Sequence, residues 1–516
     1  MNYTKMIMFG LGLLSAVGFA PIGWWPVTLL CFGLMMAHVA TASSLKSAFA
    51  RGYWFGVGHF IVGLNWIAGA FAYQDTMPPW LGWIAVVSLS LYIAVYPALA
   101  AAVAWRWGRA YPPSFVLIFA AGWIVTEWLR ATIFTGFAWN PLGVIWLPLV
   151  GIPRIFVPFV GTYGLSGITI LIAGALAQWV PRWFARIRDR YREGKGEWLS
   201  LVIAPVVLAV FVVLGAYSMR YVALPEAGAS KQPLLRIVQP NIGQQDKHIE
   251  AFADVNFAKL EKLTGKPGAV PRLILWPEAA IPDYLEEEEW ARERVASLLG
   301  PNDMLLTGGT ALIYDKKGLL AAARNSVFAV TPGAKLVARY DKAHLVPYGE
   351  YLALRWLLEP LGATRLVPGT VDFLAGPGAQ SLKVPGFGKV GVQVCYEIIF
   401  SGVVIDRANR PDFLFNPSND AWFGAWGPPQ HLAQARLRAI EEGISVVRST
   451  PTGISAIIDP QGRILQSLPY QKAGFIEARL PKSDLPTLFA RLGNMLSFGF
   501  AALLLGLGIA LARKRR

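Results

Sequence analysis

Cysteine is scarce in this sequence: its 516 residues include only two, Cys31 inside an apolar segment and Cys395 in a more polar region. Two cysteines in such different surroundings argue against a structural disulfide, although they leave the redox compartment open. The chain also lacks zinc-ligand spacing, a Gly-x-Gly-x-x-Gly fingerprint, a phosphate-binding loop and internal repeats. We therefore predict no metal and no cofactor, and we interpret the five scattered histidines as structural.

Charged residues are also few, at 15% of the chain, whereas 54% of the residues are apolar and 20 are tryptophans. Together with a mean hydropathy of +0.44, this composition indicates a membrane protein. The net charge is +15, but the basic residues cluster beside apolar segments and form no continuous stripe. The charge pattern therefore favours membrane topology and anionic lipid headgroups over a nucleic-acid partner.

Apolar runs predict eight membrane-spanning helices. The first run has features of a cleavable signal peptide, but the segment 21–26 leads directly into a second run, so we interpret the first as a retained span. Both are short for a bilayer crossing, which needs ~20 residues. The predicted spans lie at about residues 6–20, 27–40, 52–73, 80–105, 114–129, 158–180, 198–219 and 488–512.

Basic residues occupy alternate loops between these spans, including the run 182–192 and the terminal residues 513–516. By the positive-inside rule those loops and both termini are cytoplasmic. The long segment between the seventh and eighth spans then lies on the outer side. We predict a membrane domain at 1–219, an outer domain at 220–486, and a last span with a basic tail at 487–516.

The outer domain has a different sequence pattern, in which short β-rich runs alternate with segments of helical periodicity. This alternation predicts a layered α/β domain. The predicted strands lie at 234–239, 272–276, 304–312, 326–331, 335–340, 390–394, 413–415 and 455–458, and the predicted helices at 249–263, 287–299 and 430–442.

Three strand ends in this domain carry a polar residue that a buried strand would not select for stability. One apolar strand leads into Glu278, another precedes Lys342, and Cys395 ends the alternating run 391–394. Each has a simpler interpretation: Cys395 as a small core hydrophobe, and Glu278 and Lys342 as solvated charges or a structural ion pair. Together they predict a reaction site with Glu278 as general base, Cys395 as nucleophile and Lys342 as donor to an oxyanion. Within a few ångströms, Lys342 should lower the pKa of both partners.

The order Glu, Lys, Cys, carried on 276–278, 341–342 and 394–397, resembles the carbon–nitrogen hydrolase (nitrilase) superfamily. Membrane spans on both sides, together with the stretches 344–350 and 418–424, narrow the resemblance to the apolipoprotein N-acyltransferase family. The resemblance implies an αββα sandwich on the periplasmic side, joined to an eight-helix domain in the bacterial inner membrane.

The resemblance also implies a reaction. A phospholipid, typically phosphatidylethanolamine, would give its sn-1 acyl chain to Cys395 as a thioester. The acyl group would then pass to the α-amino group of the S-diacylglyceryl cysteine of an apolipoprotein, the last step of bacterial lipoprotein maturation. The family is consistent with a monomer, and its catalytic triad matches Glu278, Lys342 and Cys395. Positions that match supporting or substrate-binding residues are Glu350, Tyr396, Glu397, Asn419, Trp422, Phe423 and Trp139.

One position departs from the family, because the run 244–247 leads to His248 where tryptophan is frequent. A histidine makes a weaker apolar contact, so a lipid-packing role is not carried over to it. Two apolar stretches, 351–361 and 422–429, either pack on the α/β core or form arms that enter the outer leaflet.

Two other functions use the same features. A membrane-tethered amidase or nitrilase would employ the same triad with water as the second acceptor. The second alternative is a transporter whose outer domain only binds ligand. Against it, the predicted spans hold few of the ionisable residues that transport pathways commonly carry.

Overall fold

The computed structural model describes residues 3–73, 77–192, 232–247, 249–361, 366 and 371–514, with side chains of the helix that ends at residue 192 described as far as residue 178. The chain forms two compact units. We call them the helical unit, made of Met1–Asn65, Val86–Leu224 and Leu492–Arg516, and the α/β unit, made of Trp66–Ala85 and Pro225–Arg491.

The first part of the chain is almost entirely helical, because its runs of apolar residues satisfy their backbone polar groups internally only as helices. Close helix packing depends on small residues: a Cβ on Gly12 of α1 would lie 2.1 Å from the Phe55 carbonyl oxygen of α3. The helices are α1 Tyr3–Ser15, α2 Trp25–Ala40, α3 Leu45–Gly63, α4 Ile67–Ala70, α5 Leu81–Ile93, α6 Val95–Gly108, α7 Pro112–Thr132 and α8 Gly151–Arg192, with 3₁₀ turns at Ala16–Gly18, Phe71–Tyr73 and Leu142–Leu149.

Among the described residues, four helices are long and apolar enough to cross a membrane: Leu81–Gly108, Pro112–Thr132, Gly151–Gln178 and Met495–Lys514. A fifth span results if α3 and the bent segment after it count as one. The first two predicted spans correspond to shorter apolar helices, and the span predicted at 198–219 lies outside the described residues. The chain is thus a multi-pass membrane protein, while the total of eight spans stays a prediction.

The α/β unit contains two six-stranded sheets, which confirms the predicted α/β domain. The first sheet has the order β12-β1-β2-β3-β4-β5 and the second β11-β10-β9-β8-β7-β6. The strands are β1 Leu234–Gln239, β2 Arg272–Leu275, β3 Met304–Tyr314, β4 Leu320–Val330, β5 Leu336–Asp341, β6 Ser381–Val384, β7 Gly388–Val392, β8 Phe413–Pro417, β9 Val446–Ser449, β10 Ala456–Ile458, β11 Ile464–Ser467 and β12 Gly474–Arg479.

Helices cover the sheets. Phe257 and Leu260 of one helix and Val295 of another pack with Ile274 and Phe328 of the first sheet in a buried apolar cluster. The remaining helices are α9 Gln244–Lys247, α10 Ala253–Thr264, α11 Glu289–Ala296, α12 Arg355–Leu358, α13 Gly427–Glu442, α14 Leu488–Leu492 and α15 Met495–Lys514, with 3₁₀ turns at Glu250–Phe252, Glu359–Leu361, Cys395–Ile399 and Asp420–Phe423.

Polar contacts join the two sheets at their centre. Ser449 at the end of β9 donates to the Val238 carbonyl of β1 at 2.9 Å, and Thr450 donates to Gln239 Oε1 at 3.2 Å. The central strands β1 and β2 are parallel, as are β7, β8 and β9. The loops that follow these strands therefore meet at the carboxyl edges of the sheets, where ligand sites of α/β folds commonly lie.

Each of the eight predicted strands has a counterpart, but the prediction was wrong in detail near Cys395. The strand ends at Val392, and Cys395 begins the 3₁₀ turn Cys395–Ile399. The Glu397 carboxylate accepts a hydrogen bond from the Val394 N–H at 2.7 Å and stabilises this turn.

Candidate active site

Glu278 occupies the turn that follows β2. Its neighbour Ala279 has a positive φ of 43°, and the turn packs directly on Gly308 of β3. A Cβ on Gly308 would lie 2.4 Å from the Ala279 nitrogen and 2.7 Å from Glu278 Cα. Only glycine leaves room for the turn, so β3 fixes where the Glu278 carboxylate points.

Lys342 follows β5 and is almost fully buried between two carboxylates. Its Nζ lies 3.4 Å from Glu278 Oε1 and 3.0 Å from Glu350 Oε1. The Glu350 carboxylate also accepts from the Val346 N–H at 2.8 Å, within the turn that brings it back to Lys342. Burial alone would lower the pKa of Lys342, but Glu350 and Glu278 outweigh burial and raise it, so the ammonium stays charged.

Cys395 has a positive φ of 52°, an unusual conformation for a residue other than glycine. Its thiol is within hydrogen-bonding reach of the Glu278 carboxylate and accepts from the Asn419 backbone N–H. A strained backbone at a buried nucleophile is a feature of sites that present one side chain to a substrate.

A buried polar network holds the Cys395 carbonyl in place. His431 Nε2 lies 3.0 Å from the Cys395 carbonyl oxygen, and Nδ1 lies 2.9 Å from both Asp420 Oδ1 and Arg448 Nη2. Burial and the Arg448 charge lower the pKa of His431 against the adjacent Asp420 carboxylate, and Nε2 donates to the Cys395 carbonyl. His431 thus links the Cys395 carbonyl to Asp420 and Arg448.

The pKa shifts of Glu278 and Cys395 show which of the two groups holds a proton before the reaction. Burial alone would raise the pKa of Glu278, but Lys342, Lys247 and the Asn325 amide outweigh it, and the pKa is lowered. Burial raises the pKa of the Cys395 thiol well above its usual value, Glu278 raises it further, and Lys342 opposes both. Lys342 therefore lowers the pKa of both partners, as expected, but at Cys395 burial and the adjacent carboxylate outweigh it and the net pKa of the thiol is raised. The resting site holds a thiol, a carboxylate and an ammonium.

Two residues of this constellation were missed by the sequence analysis. Asn325 on β4 donates from Nδ2 to Glu278 Oε1 at 2.7 Å and to Glu350 Oε1 at 2.8 Å. Lys247 of α9 donates to the Glu278 carbonyl oxygen at 2.9 Å. Burial lowers the pKa of Lys247 to about 8, although Glu278 and Cys395 oppose the shift. The signal for Asn325 is a run of three polar residues, 324–326, inside the otherwise apolar strand β4.

Glu397 joins the loop that carries Lys342 to the turn that carries Cys395. Its Oε1 accepts from the Ala343 N–H at 2.7 Å and its Oε2 from the Val394 N–H at 2.7 Å. The Tyr340 hydroxyl donates to the same carboxylate at 2.9 Å. Burial raises the pKa of Glu397 to about 7, against these hydrogen bonds.

The other predicted supporting residues are placed as follows. Asn419 donates from Nδ2 to Gln244 Oε1 at 2.8 Å, and the Tyr396 ring lies 5.1 Å from the Phe400 ring. In the second predicted arm, the Trp422 ring lies 6.1 Å from Tyr73 and the Phe423 ring 4.7 Å from Trp66. Trp139 belongs to the helical unit, where it is fully buried and its carbonyl accepts from Arg130 at 2.7 Å. His248 lies outside the described residues.

The first predicted arm, 351–361, contains α12 and exposes its apolar side chains. Trp356 is 76% exposed and Leu357 44%, and Leu354 before the helix has a positive φ of 53°. The core-packing interpretation fails for these side chains, whereas Leu352 and Ala353 are buried. An exposed tryptophan beside exposed leucines is typical of a surface that meets lipid or protein.

The arrangement suits nucleophilic acyl transfer. A buried thiol faces a carboxylate that accepts its proton, and the transfer leaves the net charge of the site unchanged. Lys342 uses two ammonium protons on Glu278 and Glu350, so the third can reach an oxyanion.

Known proteins match both parts of the chain. The apolipoprotein N-acyltransferase N-terminal domain matches residues 11–175, and the carbon-nitrogen hydrolase family matches residues 234–487. Apolipoprotein N-acyltransferase of Rhodopseudomonas palustris is 34% identical over 98% of this chain and 94% of its own length. The Caulobacter vibrioides protein of that name is 35% identical over 98% of this chain and 93% of its own.

Among solved structures, an amidase of the nitrilase superfamily from Nesterenkonia covers 50% of this chain and 93% of its own, with 16% identity and a TM-score of 0.34. The full-length relatives and the two domain matches agree on one family. The chain therefore belongs to the apolipoprotein N-acyltransferase family and is a multi-pass membrane acyltransferase of lipoprotein maturation.

Proposed function

We propose that this enzyme transfers the sn-1 acyl chain of a phospholipid, such as phosphatidylethanolamine, through a thioester on Cys395 to the α-amino group of a diacylglyceryl apolipoprotein. The observation that carries the proposal is the convergence of three groups from separate loops. The Lys342 ammonium lies 3.4 Å from Glu278, and the Cys395 thiol is within hydrogen-bonding reach of the same carboxylate.

In the first half-reaction, Glu278 accepts the thiol proton as sulfur attacks the ester carbonyl of the phospholipid. Lys342 stabilises the tetrahedral oxyanion through its remaining proton. When the carbon–oxygen bond breaks, Glu278 returns the proton to the departing alkoxide, which leaves as a lysophospholipid. The products are a thioester on Cys395 and an ionised Glu278, so protons and charge balance.

In the second half-reaction, the neutral α-amino group of the acceptor cysteine attacks the thioester carbonyl. Glu278 accepts a proton from the nitrogen and passes it to the departing Cys395 sulfur. An amide forms, the carbon–sulfur bond breaks, and the thiol is restored. Because Glu278 alternates between the same two states in both halves, one carboxylate serves as base and acid.

We also propose a topology for this reaction. The basic loops and terminal Arg513 and Lys514 favour cytoplasmic termini in the bacterial inner membrane, and the α/β unit then faces the periplasm. The predicted domain limits, 1–219, 220–486 and 487–516, follow the same topology. A monomer suffices, because Glu278, Lys342 and Cys395 all come from one chain.

The test separates transferase from hydrolase. Purified protein is incubated with phospholipid labelled in the sn-1 chain and with a synthetic diacylglyceryl lipopeptide. We expect N-acylated lipopeptide as the main product, and free fatty acid as the main product would favour an amidase-like hydrolase. Cys395→Ser should abolish transfer, while Cys31→Ser, which alters the chain's other cysteine in α2, should retain it.

A further inference from the structure

A polar cavity of about 410 Å³ lies within the α/β unit, and neither half-reaction described above uses it. The segments that follow β1, β8 and β9 contribute to its wall, so the cavity opens at the sheet edge that also carries the loop of Cys395. Residues that line it include Asn241, Gln244, Asp246, Thr452, Tyr470 and Gln471.

Two short chains of contacts link this cavity to the reacting groups. Gln244 accepts from Asn419 at 2.8 Å, and the Asn419 backbone N–H donates to the Cys395 sulfur. On the other side, Asp246 precedes Lys247, whose Nζ donates to the Glu278 carbonyl at 2.9 Å. A molecule in the cavity is therefore linked through two residues to the nucleophile and through two residues to its base.

The cavity wall contains a buried side-chain amide that can hydrogen-bond a ligand. Gln244 is only 4% exposed, yet its Nε2 has no hydrogen-bond partner among the described residues. Loss of a partner for a buried donor is costly, so an amide in this state indicates a ligand acceptor. The loop that supplies Gln471 is held firmly, because Gln239 Nε2 donates to the carbonyls of Pro469 and Lys472 at 2.8 and 2.7 Å.

The residues that line the cavity indicate which part of the two substrates it can bind: an acyl chain, a phosphate headgroup or a peptide. Acyl chains require an apolar lining, whereas amides and hydroxyls dominate this one. A phosphate headgroup requires cations, yet none of the described lining residues is a lysine or arginine, and Asp246 would repel the phosphate. Peptide groups, which donate and accept neutral hydrogen bonds, match the amides and hydroxyls.

We propose that this cavity binds the peptide segment that immediately follows the acceptor cysteine of the apolipoprotein. The inference rests on the proposed function and extends it, because it assigns the polar part of the second substrate to a site beside the thioester. Asp246 offers the only carboxylate among the described lining residues. It suits backbone N–H groups or a cationic side chain in the first residues after the acceptor cysteine.

The test separates the two half-reactions. Full-length protein is first loaded with acyl chain from phospholipid, and thioester formation is measured by intact mass. Transfer is then timed with two acceptors, an S-diacylglyceryl cysteine amide and the same cysteine followed by about four residues. The variants are Asp246→Asn and Thr452→Val, which preserve shape, with Gln466→Leu on the exposed strand β11 as control.

We expect Thr452→Val to slow transfer to the longer acceptor about threefold to tenfold, the worth of one neutral hydrogen bond, and Asp246→Asn, which removes the carboxylate charge, to slow it at least as much. Thioester formation, the thermal midpoint and transfer to the cysteine amide should change less than about twofold. An equal loss of transfer rate with both acceptors would overturn the peptide assignment. So would a loss confined to the rate of thioester formation that varies with the phospholipid headgroup. Failure of the unmodified enzyme to form a thioester would instead refute the proposed function itself.

Discussion

Asn325 gives the sharpest test of the electrostatics of the site. Its Nδ2 donates to Glu278 Oε1 at 2.7 Å and to Glu350 Oε1 at 2.8 Å, and it faces the same pair of carboxylates as Lys342. Asn325→Leu keeps the volume similar but removes both bonds. A hydrogen bond to a charged group contributes ~1.5–3 kcal/mol. At ~1.36 kcal/mol per pKa unit, loss of the bond to ionised Glu278 should raise its pKa by about one to two units.

The consequence appears in the pH profile of thioester formation. Glu278 acts as base only when ionised, so the rate falls as pH falls through its pKa, which is lowered in the unmodified protein. In Asn325→Leu that acid limb should move upward by about one to two pH units, while the plateau rate changes much less. The assay is intact mass after short incubation with phospholipid at each pH. An acid limb at its original pH, with a lower plateau, would contradict this role of Asn325.

Three further predictions concern residues that position the reacting groups. Gly308→Ala should slow thioester formation about 10²-fold, because its Cβ would meet backbone atoms of the Glu278 turn at 2.4–2.8 Å. The matched control is Gly309→Ala, whose Cβ would meet only the Phe328 ring at 3.2 Å, and it should slow thioester formation much less. Lys247→Met should raise the acid limb as well, because the Lys247 charge helps to lower the pKa of Glu278. Glu397→Gln should lower the thermal midpoint and the rate together, because an amide leaves at least one N–H facing an NH₂ group, at a cost of ~1–3 kcal/mol; unchanged values would show that the carboxylate does not join the two loops.

The sequence predicts that Glu278, Lys342 and Cys395 converge because each follows an apolar strand, and the structure brings the three side chains together. Glu278 follows a continuous apolar run and Cys395 follows an alternating one, and parallel strands bring their carboxyl ends to one edge. Asn325 lies within its strand and not at its end, and the polar residues of that strand do not by themselves show that this side chain reaches the reacting groups. Lys247 is likewise an ordinary charge at the end of a short helix until the fold brings it to the Glu278 carbonyl.

The fold was predicted less completely for physical reasons of the same kind. The strands β6 and β11 are four residues each at the edges of the second sheet. β6 alternates over too few residues to stand out, and β11 is exposed along its length. The run around Cys395 resembles a continuing strand because Tyr396, Ile398 and Phe400 are apolar and buried. In the 3₁₀ turn the Glu397 carboxylate accepts hydrogen bonds from the Val394 N–H and from the Ala343 N–H of a distant loop, which local periodicity does not encode.

The central claim is that Cys395 carries the acyl group between the two substrates. Its most direct test is the intact mass of the purified protein after incubation with phospholipid and without acceptor. The account predicts a mass increase of one acyl chain that is mapped to Cys395, is released by hydroxylamine, disappears when a diacylglyceryl lipopeptide is added, and is absent in Cys395→Ala. Unmodified protein that still yields N-acylated lipopeptide, or an acyl group on another residue, would contradict it.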